Sequence, residues 1–155
     1  FLRERLTGID PAIGWLSEET VDVPERLMKE RLWIVDPIDG TRSFIAGRED
    51  WAICAALVER GRPVAAAVEL PATGESFAAV RGGGATRNGQ RIFVSARTEL
   101  AAAAVARPAK LNPALAPLGN TTEVPRIHSI AVRLSRVATG EIAGALVSAN
   151  ANDWD

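Results

Sequence analysis

The chain has 155 residues, 47% hydrophobic and 24% charged, with 18 Lys and Arg against 19 Asp and Glu; this is one domain's length, and its apolar content excludes a disordered chain. A formal net charge of −1 offers no cationic surface to displace counterions from a phosphate backbone, which excludes nucleic-acid polymers as expected partners. No run of about 18 consecutive apolar residues exists, so no membrane span is expected, and the single cysteine, Cys54, cannot form an internal disulfide and favours a reducing, cytoplasmic setting.

In chain order, the residues from Phe1 to Arg5 are helix formers, punctuated by Thr7, Gly8, Asp10 and Pro11. Ile13 to Leu16 reads as a strand that delivers Glu18 and Glu19 at its carboxyl end, and Pro24 to Arg31 as an exposed stretch with one helical turn. Leu32 to Val35 is a continuous apolar run, predicting a strand buried on both faces and ending at Asp36-Pro37-Ile38-Asp39-Gly40-Thr41. Ser43 to Gly47 predicts a short helix closed by glycine. Trp51–Glu59, Val64–Leu70, Glu75–Val80 and Gln90–Ser95 then read as strands of an antiparallel meander, because Arg60-Gly61, Pro71 to Gly74 and Asn88-Gly89 between them are turn chemistry. Gly82-Gly83-Gly84 lacks the strand-to-helix context of a dinucleotide loop and reads as a hairpin turn.

Beyond Thr98 the composition shifts to Ala and Pro, which places a subdomain boundary near Arg97 and divides the chain into 1–97 and 98–155. Leu100 to Val105 is a strand or helix, and Pro108 to Pro125 an irregular connection. Ile130, Ala131, Leu134, Val137 and Ala138 form the apolar stripe of an amphipathic helix, with Ser129 as cap and Gly140 as stop. Ile142 to Val147 reads as a strand, followed by a polar loop to Trp154-Asp155.

Asp36 and Asp39, converging from one strand end, repel unless a hard divalent cation sits between them, and Mg²⁺ suits such oxygen ligands. Gly40 lets a ligand approach the backbone, and the amides of Gly40 and Thr41 open a helix whose start attracts phosphate. Taken alone, the same residues also describe an ordinary type I turn after a strand. Glu18-Glu19 and Asp155 lie at or just past other strand ends, so several acids can meet at one edge.

The stretch Trp33-Ile34-Val35-Asp36-Pro37-Ile38-Asp39-Gly40-Thr41, preceded by Leu16-Ser17-Glu18-Glu19-Thr20 and followed by Trp154-Asp155, resembles the inositol monophosphatase superfamily of Mg²⁺-dependent, lithium-sensitive phosphatases. It is most similar in appearance to the bacterial 3′(2′),5′-bisphosphate nucleotidases of that superfamily. Asn88-Gly89-Gln90, Val94-Ser95 and Val137-Ala138-Thr139-Gly140 extend the resemblance through nearly the whole chain. It implies an α+β protein of layered α/β/α/β/α architecture, a meander followed by a smaller α/β section. The family's N-terminal helical hairpin and its section after Trp-Asp are expected to be missing, in keeping with a chain that starts at Phe1 and stops at Asp155.

Carried over residue by residue, the resemblance implies two or three Mg²⁺ ions. Glu18, Asp36 and the carbonyl of Ile38 would hold the first, and Asp36, Asp39 and Asp155 the second. Glu19 would support from behind, Gly40 and Thr41 would bind phosphate, and Thr41 with Glu18 would orient the attacking water in an in-line displacement without a phosphoenzyme. Arg42, Ala131 and Ser148 are weaker substrate-binding candidates. Ser148 stands where animal-type inositol monophosphatases carry an acid for the inositol hydroxyls, whereas Arg42, helped by Arg126 or Arg133, suits a second phosphate. The expected substrate is therefore a 3′-phosphorylated nucleotide such as 3′-phosphoadenosine 5′-phosphate, with an inositol or other sugar phosphate second. A non-catalytic metal- or phosphate-binding fragment is the reading from another class. The resemblance also allows a homodimer, and it gives His128 only a structural or substrate-rim place.

Overall fold

The computed structural model describes residues 1–99, 101–106, 121–147, 151, 152 and 154. Helix α1 (Leu2–Ile9) runs a turn further than the helix formers suggest and leads into β1 (Gly14–Ser17), a 3₁₀ turn (Pro24–Met28) and β2 (Arg31–Asp39). After α2 (Thr41–Ile45) come β3 (Ala52–Glu59), β4 (Arg62–Leu70), β5 (Glu75–Val80), β6 (Gly84–Arg87) and β7 (Gln90–Ile92). The later elements are β8 (Ala104–Ala106), β9 (Thr122–Glu123), α3 (Ile130–Ala138) and β10 (Gly144–Ala145). Among the described residues no helix is long and apolar enough to cross a membrane.

Strands β1 to β7 form one sheet in sequence order, while β10, β8 and β9 form a second. The pair β1–β2 is parallel, and from β2 onward every neighbour is antiparallel, which is the expected meander. Its tight turns are built as their residues demand. Arg60 and Gly61 (φ 48° and 73°) and Asn88 and Gly89 (φ 49° and 78°) both place two successive residues in the left-handed region, the signature of a type I′ hairpin.

Several boundaries differ from the sequence reading. Strand β6 went unread because Gly84-Ala85-Thr86-Arg87 carries no apolar run, yet it pairs with β5 and β7. The region from Ile142 to Val147 keeps only Gly144 and Ala145 as strand, and β7 ends at Ile92. Much of the connection from 108 to 125, and Leu100, lie outside the described residues. Leu32, Trp33 and Ile34 are half-buried rather than covered on both faces.

The core gathers where α3 crosses the meander. Ala52, Leu70, Phe77 and Val132 are its buried members, and Cys54, Val68, Ile92, Ile127 and Ala131 pack around them. Cys54 is thus a packing residue in the middle of β3. Helix α3 is held at its start by Ser129, whose hydroxyl accepts from the Val132 amide at 2.9 Å, and it stops at Gly140 with φ 75°.

At its far end Arg136 forks onto Glu75, both bonds being 2.5 Å long, with Arg87 bridging Glu75 and Glu141. The Arg136 guanidinium, against burial that works the other way, lowers the Glu75 carboxyl from 4.5 to about 2. A carboxyl depressed on folding stabilises the protein above its unfolded value and loses that contribution as the pH falls toward the folded one. Glu75→Gln should therefore be less stable than the parent at pH 7, with the difference closing between about pH 4.5 and 2, as read from denaturant midpoints across that range.

Candidate active site

Residues three apart on a regular strand point to opposite faces, yet Asp36 and Asp39 share one. Asp36 lies opposite Cys54 and Asp39 opposite Ala52, so three steps on β2 span two on β3, and a β-bulge absorbs the extra residue. Cys54 and Ala52 are two apart and face the same way, so the bulge returns Asp39 to the side of Asp36. Pro37 has no amide hydrogen to lose from the ladder, and the Ile38 amide donates to Asp36 Oδ1 at 2.9 Å. Both carboxylates are buried, at 2% and 6% exposure. The strand therefore runs through the acids instead of ending before them.

Asp39 meets the start of α3. Its Oδ2 accepts from the Ser129 hydroxyl and from the Ala131 amide, both at 2.6 Å. A carboxylate at the first turn of a helix is favoured by the amides and dipole there, and this explains how the acid tolerates burial. Ala131 thus acts here through its main chain.

The parallel register sets Ser17 beside Val35, so Glu18 leaves β1 level with Asp36. Glu18 and Glu19 are exposed in the turn that follows. Among the described residues no group of three acids, histidines or cysteines is drawn together as a complete metal cage. Asp155 and Ser148 lie outside the described residues. Trp154 lines the same apolar groove as Ile34 and Cys54, a space of about 410 Å³ between the sheet and α3, and that groove contains neither acid. The donor chemistry nevertheless suits a hard cation: two buried carboxylates on one face, with Ser129 and Ala131 as the donors to Asp39 among the described residues.

Gly40 follows with φ 87° as the cap of α2, which starts at Thr41 and not at Ser43. A Cβ on Gly40 would come within 2.9 Å of both the Asp50 carbonyl oxygen and Ser129 Cβ. Thr41 is exposed and donates its hydroxyl hydrogen to the Ile38 carbonyl at 3.1 Å. Arg42 is exposed beside it. Arg133 is buried instead, and its guanidinium donates to the carbonyls of Ser129 and Leu146; it braces the helix start and is not placed as a substrate contact.

Sequence reasoning missed Asp50. Its Oδ1 accepts from Arg48 Nε at 2.8 Å, and its Oδ2 from the His128 amide at 2.8 Å and the ring Nδ1 at 3.2 Å. Burial alone would raise this carboxyl, but Arg48, the His128 amide and the Ser43 hydroxyl together hold it well below the usual range. An ionised carboxylate only accepts, so the ring hydrogen belongs on Nδ1. Ser43, fully buried, touches that same Nδ1 at 3.0 Å. With serine and aspartate on one ring nitrogen there is no relay through the imidazole, and the trio is not a nucleophilic triad. No local pattern reveals it, because its members are up to 85 residues apart.

The mixed sheet, the bulged strand and the paired carboxylates define an α+β protein of the sugar-phosphatase fold type. The chain belongs to the inositol monophosphatase family, whose model matches residues 2–155. It is 42% identical over 104 residues to an inositol-1-monophosphatase of Rhizobium meliloti, covering 67% of this chain and 39% of that protein. A 3′-phosphoadenosine 5′-phosphate phosphatase of Mycobacterium bovis is 48% identical over 79 residues, 47% of this chain and 30% of that one. The crystal structure of a staphylococcal inositol monophosphatase complexed with products superposes with TM-score 0.87 at 26% identity, over 99% of this chain and 59% of its own. The chain thus spans less than two thirds of the length of the relatives it matches. Members of the family are metal-dependent phosphatases acting on phosphate monoesters.

Because neither the Asp50 carbonyl nor the Ser129 backbone can yield cheaply, Gly40→Ala should lose about 2 kcal/mol or more of stability, measured by equilibrium unfolding.

Proposed function

We propose that the chain carries the metal- and phosphate-binding centre of a phosphomonoesterase that uses Mg²⁺ and prefers a 3′-phosphorylated nucleotide. The observation that carries this reading is the bulge that aims Asp36 and Asp39, both buried, to one side of β2. Asp36, the Ile38 carbonyl, Asp39 and Glu18 would hold the cations, with Asp155 completing the set and Glu19 behind them. Bound there, divalent cations supply positive charge to the attacking and departing oxygens of the ester.

The chain's own groups do the orienting. Thr41 gives its hydroxyl hydrogen to Ile38, so its oxygen is left to accept a hydrogen from water, with Glu18 as second acceptor. Gly40 and Thr41 would bind phosphate oxygens by their amides. For the substrate, the exposed Arg42 after Thr41 and the 48% identity to a 3′-phosphoadenosine 5′-phosphate phosphatase support the bisphosphorylated nucleotide. The 42% identity to an inositol-1-monophosphatase keeps an inositol or sugar phosphate as second reading. Lithium inhibition, a cytoplasmic setting, a homodimer and the division into units 1–97 and 98–155 belong to the same proposal.

Phosphate release by the intact protein with Mg²⁺ should be faster from 3′-phosphoadenosine 5′-phosphate than from inositol 1-phosphate; equal or reversed preference overturns the ranking. Asp36→Asn should lower turnover at least about a hundredfold with the fold intact, and retained activity would count against its role. Mg²⁺ binding without turnover in the unaltered protein would establish a binding module instead.

A further inference from the structure

We propose that Asp50 is a positioning residue, which locks the Gly40–Ser43 segment to the start of α3 and thereby sets where Asp39 sits. This rests on the phosphatase reading for its catalytic consequence, though not for its geometry. Asp50 touches both sides of the junction. Its carbonyl oxygen occupies the space against Gly40 that a Cβ would need, 2.9 Å away. Its carboxylate takes the His128 amide at 2.8 Å, one residue before Ser129, whose hydroxyl binds Asp39.

Arg48 closes the loop from the other direction. Its main-chain amide donates to the Ser43 carbonyl at 2.9 Å, its Nε to Asp50 at 2.8 Å and its Nη2 to the Arg126 carbonyl at 3.2 Å. The segment after α2 and the segment before α3, some 78 residues apart in sequence, are therefore tied through one side chain that is only 15% exposed. The ring Nδ1 of His128 lies 3.2 Å from the same carboxylate and 3.0 Å from the Ser43 hydroxyl. Asp50 consequently accepts at both oxygens, each from a donor on a different segment, so its contribution is placement. Asparagine keeps the shape but turns an NH₂ toward either the Arg48 or the His128 donor, and a donor facing a donor breaks that side of the lock.

The test compares Asp50→Asn with Glu75→Gln in the intact protein; the second variant loosens the opposite end of α3 and serves as the purely structural control. Native-state hydrogen exchange is read at the His128 and Ala131 amides without substrate, beside melting temperature, kcat and KM. In Asp50→Asn exchange at both amides should quicken about tenfold or more, and kcat should fall about tenfold or more while melting shifts little. Glu75→Gln should change melting and leave Ala131 exchange and kcat as they were. Unchanged exchange at Ala131 in Asp50→Asn, quickened exchange with full kcat, or an equal kcat loss in the control overturns the assignment. Should Asp50→Asn not fold, Arg48→Gln removes the donors to Oδ1 and to the Arg126 carbonyl while leaving the His128 donors to Oδ2, and must give the same pattern at smaller amplitude, or the assignment fails. An inactive parent protein would overturn the phosphatase reading alone, leaving exchange to decide the role of Asp50.

Discussion

A single inserted residue in β2 decides which way the chemistry points. With a regular ladder Asp39 would face away from Asp36, and two buried acids would lie on opposite sides of the sheet. The bulge between Asp36 and Asp39 turns the second acid back and costs the ladder little, since Pro37 has no amide hydrogen and the Ile38 amide finds Asp36. What remains is the repulsion of neighbouring carboxylates, and the Asp39 side of it is met by the Ser129 hydroxyl and Ala131 amide.

The start of α3 is accordingly more than a helix end. Ser129 caps Val132 and binds Asp39 through one hydroxyl, which commits its hydrogen to the acid and a lone pair to the amide. Arg133 holds the Ser129 and Leu146 carbonyls, and Asp50 holds His128. At the other end Arg136 meets Glu75. Negative charge at the first turn and positive charge in the last one both favour the helix, so the electrostatics that stabilise α3 also fix its place against the acid-bearing strand.

Small side chains make this close approach affordable in space. Ala52 is fully buried opposite Asp39, and Gly40 lies against Ser129 and the Asp50 carbonyl. A larger residue at either position would push α3 away from the bulge, lengthening the 2.6 Å contacts on which Asp39 depends.

Local sequence accounted for much of the architecture. Alternating apolar runs with Arg60-Gly61 and Asn88-Gly89 between them determined the meander, because turn type follows from the left-handed tolerance of those residues. Ser129, its apolar stripe and Gly140 determined α3, and the acids of the Asp36–Thr41 stretch were visible as candidate ligands. Strand β6 escaped because its pairing depends on neighbours and not on its own composition. Only the tertiary structure decided that Asp36 and Asp39 share a face, that Asp39 docks on a helix some 90 residues later and that Asp50 joins His128. The physical reason is that register shifts and long-range hydrogen bonds are settled by which surfaces pack together, and a one-dimensional pattern carries no record of that choice.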